Sequence, residues 1–137
     1  DLDNDELKAL LRQAAKEGAR QALSEVGLDG EDAQEDIKEL RNKLSEKAYQ
    51  SGILYMKMDE FQAALLAFKQ VKEMYYDTDF IELAHLKTIA CYIEREEIEK
   101  AKLYYSDNRS YVEKINMDDL VDAWFEQNRV FDRIELE

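Results

Sequence analysis

The sequence predicts an all-α chain: a helical hairpin fused through one long shared helix to a stack of antiparallel helices, about six helices in all. Three observations point there. Apolar residues recur at helical spacing along almost the whole chain. Proline is absent, where about seven would be expected at an average usage of roughly 5%, so short polar turns are the main interruptions. The stretch from Gly52 to Phe68 also repeats itself. Shifted by 37 positions, Gly52 falls on Ile89, Tyr55 on Tyr92, Phe61 on Ile98, Ala64 on Ala101 and Phe68 on Tyr105, while Asp59-Glu60 falls on Glu96-Glu97. A small residue such as Gly52 lets a second helix approach, and Ala64 on that helix receives it.

The first helix starts near Asn4 or Asp5, where Asp3, Asp5 and Glu6 suit the positive end of the helix dipole. Leu7, Leu10, Leu11, Ala14, Gly18, Ala22 and Val26 form one stripe along it. The stripe thins to small residues, and Gly18 costs about 1 kcal/mol against alanine inside a helix, which suggests close packing. Gly27 to Gly30 makes the turn. Ala33, Ile37, Leu40, Leu44 and Ala48 then run on into Gly52 and Tyr55 without a breaker. They predict one helix over 31–58, roughly 28 residues and about 42 Å long.

A third helix is expected over 60–76. Asp77-Thr78-Asp79 supplies capping chemistry for a fourth over 80–95, and a fifth follows over 97–106. The segment 106–116 is the least periodic and predicts a bent or broken helix. Asn116 or Asp118 then caps a last helix whose stripe, Leu120, Val121, Trp124, Asn128 and Phe131, closes the stack. The 137 residues make a single domain, with a hairpin at 1–45, a repeat region at 46–111 and a capping helix at 112–137.

Net charge is −13, which argues against nucleic acid and anionic membrane as partners, since both are polyanions. No apolar run approaches the roughly 20 residues that span a bilayer, so membrane insertion is not expected. The first residues lack the pattern of a secretory leader, and the compartment stays open between cytoplasm and periplasm. A single cysteine, Cys91, excludes an internal disulfide and a cysteine zinc site.

The stretch Ala48-Tyr49-Gln50-Ser51-Gly52, Tyr55, Asp59-Glu60-Phe61, Ala64-Leu65, Phe68, Tyr75-Tyr76-Asp77-Thr78 and Glu82-Leu83-Ala84 resembles the tetratricopeptide family, whose unit is roughly 34 residues. Within that family it is similar to bacterial outer-membrane assembly lipoproteins. Tyr76 stands where such turns usually carry proline, and the lipidated cysteine of those proteins is not visible here. Asp5 to Leu44, with Glu17-Gly18-Ala19-Arg20 and Leu28 to Ala33, looks like small uncharacterised bacterial or prophage proteins.

The tetratricopeptide resemblance implies a partner groove lined by the first helix of each pair. It would be offered by Tyr49, Ile53, Met56 and Lys57, and by Leu86, Ala90, Ile93 and Glu94. Tyr49 and Ile53 occupy places that would hold a carboxylate clamp, so an apolar helix or extended segment is the expected ligand. The competing expectation is that these residues simply pack against the N-terminal hairpin. The small face of the first helix, Ala14, Gly18 and Ala22, is a rival surface for a homodimer.

Nothing assembles a nucleophile, base and oxyanion donors, so no enzyme is expected. His85, the only histidine, and Cys91 are six apart and point to different helix faces; ordinary packing is the expectation for both. Asp1, Asp3 and Asp5 open like a calcium loop, but Glu6 replaces its glycine and Arg12 its closing glutamate. Asp118, Asp119 and Asp122 suit a helix start, and no glycine-rich phosphate loop occurs. No cofactor or metal is expected. The tyrosines at 75, 76, 104, 105 and 111 are expected in the core and at its rim, and mark a partner surface if exposed on one face.

All fourteen aromatics lie between Tyr49 and Phe131. Three readings therefore stay open. The first is a non-catalytic helical scaffold that holds a protein partner or a second copy of itself. The second is a designed or chimeric protein, two helical pieces joined within the long helix and carrying no native ligand. The third is a fragment of an outer-membrane assembly lipoprotein.

Overall fold

The computed structural model describes residues 3–17 and 31–136. These fold as seven helices: α1 (Asn4–Glu17), α2 (Glu31–Lys57), α3 (Phe61–Met74), α4 (Ile81–Glu94), α5 (Ile98–Lys114), α6 (Asp118–Gln127) and the single turn α7 (Arg133–Leu136). From α2 onward each helix packs on the next, as short connections require. The protein is an all-α helix stack. The expected turn at Gly27–Gly30, and the Gly18 and Ala22 part of the small-residue face, lie outside the described residues. So does the side chain of Ala14.

The long helix is continuous over 27 residues. One face buries Leu44, Ser45, Ala48 and Tyr49, and Gly52 lies under the Phe68 ring of α3. A Cβ at Gly52 would collide with that fully buried ring, so the glycine makes room for Phe68 rather than for Ala64. Tyr49 stands between Phe68 and Phe80, with ring centroids 5.8 and 5.6 Å away. The N-terminal side is thinner: Leu11 of α1 shares a small core with Leu44 and Tyr75.

The ends of α2, α4 and α5 follow one pattern. Asp59, Glu96 and Asn116 adopt left-handed backbone with φ of 57°, 63° and 57°. In each case the next amide bonds back five residues: Glu60 N–H to Tyr55 O at 2.8 Å, Glu97 N–H to Tyr92 O at 2.9 Å, Met117 N–H to Val112 O at 3.1 Å. This is the Schellman closure, here built without glycine. The first two lie 37 positions apart, and Ala64 and Ala101 then donate to Glu60 O and Glu97 O, each at 3.0 Å.

Several boundaries differ from expectation. Asp77, Thr78 and Asp79 do not cap α4, whose N-cap is Phe80 without a side-chain bond. They are held by α2 instead. Arg41 donates to Asp77 Oδ1 (2.6 Å) and Met74 O (2.7 Å), Ser45 meets Thr78 at 2.7 Å, and Asn42 Oδ1 accepts from Asp79 N–H. The fifth helix does not stop at 106. It continues to Lys114 through a kink at Asn108 (φ −125°, ψ 18°), whose side chain donates to Tyr104 O. The last long helix ends at Gln127, because Asn128 turns left-handed (φ 54°). Neither Asn116 nor Asp118 caps it; its N-cap is Met117.

Candidate functional site

The helix α4 is buried on nearly every side, and its two flanks meet different surroundings. On one flank Leu86, Ala90 and Ile93 share a core with Leu120, Val121, Trp124 and Phe131. The segment after α6 folds back there, held by Trp124 Nε1–H donating to Phe131 O at 2.8 Å. This corrects the expected partner groove. Leu86, Ala90 and Ile93 have no surface to offer, since the chain fills the space itself. Tyr49 is core as well, its hydroxyl pushed up to about 12 by burial. Ile53 and Met56 pack half-buried against the same cores, and only Lys57 and Glu94 stand in solvent.

The other flank of α4 is open. It floors a groove of about 610 Å³ walled by α3 and α5. Each side is one helix face: Gln62, Leu65, Leu66, Lys69, Lys72 and Glu73 from α3, His85, Thr88 and Tyr92 from α4 with Arg95 at its C-cap, and Lys100, Tyr104 and Asn108 from α5. The spacings of three, four and seven put each set on one side of its helix.

At the floor Lys72 Nζ donates to Tyr104 Oη (2.8 Å) and Thr88 Oγ1 (3.2 Å), and sits 4.8 Å from the Tyr104 ring centroid. The Thr88 hydroxyl in turn donates to Ala84 O at 2.7 Å. Tyr104 Oη lies 2.6 Å from His85 Nδ1. In the neutral tautomer that carries its hydrogen on Nε2, Nδ1 accepts the Tyr104 hydroxyl while that oxygen accepts from the ammonium. His85 also stacks on Tyr111, centroids 3.9 Å apart. Desolvation, then the Lys72 charge, lowers His85 to about 4. Burial likewise lowers Lys72 to about 8 and raises Tyr104.

The groove is cationic in an acidic chain. Lys69, Lys72, Arg95 and Lys100 line it against one acid, Glu73, while the whole chain carries −13. Arg95 is tied to Glu97 (2.6 Å) and Gln62 (3.1 Å), whereas Lys100 meets Glu97 only at 3.7 Å. No described salt bridge includes Lys72. Cys91 is fully buried, its thiol pushed up to about 12 by desolvation, which leaves little thiolate. Among the described residues no His/Cys/Asp/Glu group forms a metal site, and no helix is long and apolar enough to cross a membrane.

Sequence reasoning placed His85 in ordinary packing, named Tyr104 only among the tyrosines of the core and its rim, and passed over Lys72, Thr88 and Asn108. The available signal was the set of polar stripes at helical spacing on three successive helices. The tyrosines divide: Tyr75 and Tyr105 are buried, Tyr104 lines the groove, and Tyr76 and Tyr111 are exposed.

Residues 5–46 match a family of unknown function (DUF6127). That stretch covers α1 and the first part of α2, the segment likened above to small uncharacterised proteins, and it contains no groove residue. No curated protein and no solved structure matches the chain. The likeness of 46–111 to tetratricopeptide lipoproteins finds no counterpart in the family match.

Proposed function

We propose that this protein is a non-catalytic helical scaffold, with α2–α3 and α4–α5 as two tetratricopeptide-like units, and that it holds a segment of a protein partner. The observation that carries this reading is the open groove between α3 and α5, where cations and aromatic faces gather on the flank of α4 that the chain does not fill. The matching turns at Asp59 and Glu96 support the two-unit description. The burial of Cys91 and the neutral, enclosed His85 favour holding over catalysis. A displayed library of random peptides, panned against the chain and against a Leu66→Asp, Tyr92→Ala variant, tests it. Binders enriched on the parent and lost on the variant are expected. Equal enrichment on both would move the surface elsewhere, and none would remove the scaffold role.

A second reading, two helical pieces of separate origin joined within α2, is favoured by one coincidence. The family match ends at 46 and the first aromatic is Tyr49. Residues 46–137 expressed alone would then keep a cooperative unfolding transition; loss of all structure would count against the join.

A further inference from the structure

We propose that the groove recognises an acidic segment of its partner, with one Asp or Glu carboxylate seated against Lys72 on the groove floor. This assignment rests on the groove being a partner surface.

Three observations select that chemistry. The first is Lys72 itself. A lysine ammonium has three N–H donors, and two go to neutral hydroxyls, those of Tyr104 and Thr88. Among the described residues no carboxylate lies within ion-pair distance of it, Glu73 acting only from further off, although the group is half-buried at the floor of a groove. A desolvated cation without a counter-ion is costly, and an entering carboxylate offsets that cost. Burial lowers Lys72 to about 8, which records the same cost.

The second is the field above it. Lys69, Arg95 and Lys100 surround the mouth, with Glu73 3.9 Å from Lys69 and Glu97 beside Arg95 and Lys100 as the opposing acids, so that with Lys72 the cations outnumber the acids. Elsewhere the chain is strongly acidic, so a polyanionic segment is repelled by most of the surface and drawn to this part of it. Leu66, 60% exposed, adds an apolar edge that suits an amphipathic segment.

The third concerns which anion. Bidentate phosphate recognition is the work of arginine forks. The one arginine here is committed to Glu97 and Gln62, and the floor offers the single-point ammonium of Lys72, which matches a monoanionic carboxylate.

The test uses the full chain and a labelled probe peptide of Glu and Leu at helical spacing, with counterparts carrying Gln or phosphoserine in place of Glu. Affinity is read by fluorescence anisotropy between about pH 6 and pH 10, and the site by amide shifts of groove residues. Protonated Lys72 attracts the anion, so affinity is expected to fall as pH rises through about 8. Binding through ordinary surface lysines would stay flat until about 10. Lys72→Arg should remove that pH break while still binding, and Lys72→Met should weaken binding roughly ten-fold. Lys69→Glu with Lys100→Glu should weaken it further without altering the fold.

An unchanged affinity in Lys72→Met, or a flat pH profile for the parent, would overturn the seat. Equal binding of the Gln probe in the groove would overturn the acidic class while leaving the partner surface intact. Tighter binding of the phosphoserine probe would replace carboxylate by phosphate. Failure of every probe, together with a random library that yields no groove binder, would remove the partner surface itself.

Discussion

The two flanks of α4 come from one helix and end in opposite states. On the first, Leu86, Ala90 and Ile93 are sealed by Trp124, Leu120 and Phe131. On the second, His85, Thr88, Tyr92 and Arg95 face a groove that no segment of the described chain fills. The difference teaches that apolar pattern alone does not tell an open surface from a filled one. The apolar flank is where the protein spends its own C-terminal residues, because burying a large aromatic stabilises more than exposing it to an occasional ligand. The polar flank cannot be closed that way. Covering Lys72 with apolar residues would bury a cation that has no ion-pair partner among the described residues.

The sharpest way to break this contrast is Trp124→Ala. Trp124 is 2% exposed and its indole holds the returning segment, so the substitution should cost about 3–5 kcal/mol. Urea denaturation measures that loss. A smaller cost, with groove binding unchanged, would mean the first flank is not a true core.

Next comes the pH dependence of the open flank. His85 is lowered to about 4 in the folded protein, against about 6.5 unfolded. Between those values the unfolded chain takes up a proton that the folded one refuses. Stability is therefore complete above about 6.5 and declines as pH falls toward 4, by about 3 kcal/mol in total. His85→Asn, whose carbonyl can still accept from Tyr104, should lose that slope. The difference between parent and variant cancels the carboxylates titrating in the same range.

Ala90→Leu on the filled flank should cost about 1–3 kcal/mol, since a fully buried alanine leaves no room for added carbons. The turn shared by both flanks sharpens the comparison from the other side. Glu96 holds a left-handed φ of 63°, so Glu96→Gly should stabilise by up to about 1 kcal/mol. Thermal melting of that variant and of Asp59→Gly should give similar gains if the two turns are equivalent. Last, Lys100→Ala on the open flank should shift stability by less than about 0.5 kcal/mol while weakening the acidic probe. A larger stability loss would make Lys100 a structural residue.

What the sequence determined by itself is the helical architecture. Helix class and the turns at 59–60 and 96–97 follow from local periodicity and from the polar dipeptides there, because helix formation is governed by neighbours three and four residues away; that α2 runs without a hinge at Leu44-Ser45 was decided by the tertiary structure. The small size of Gly52 also foretold a close approach, though the residue expected to receive it was Ala64 and the one that does is Phe68.

Tertiary structure alone decided the rest. Asp77, Thr78 and Asp79 have ideal capping chemistry, yet Arg41, Asn42 and Ser45 engage them from across the fold. The periodicity break at 106–116 became a kink within one helix, because Asn108 bonds back to Tyr104 O. Leu86, Ala90 and Ile93, marked as part of a groove, became core because nothing local says which flank the C-terminal segment will cover. Lys72, Tyr104 and His85 are ordinary letters on three helices, separated by up to 32 positions. Their meeting is a long-range packing event, and a charge loses its counter-ion and its water only when three helices close around it.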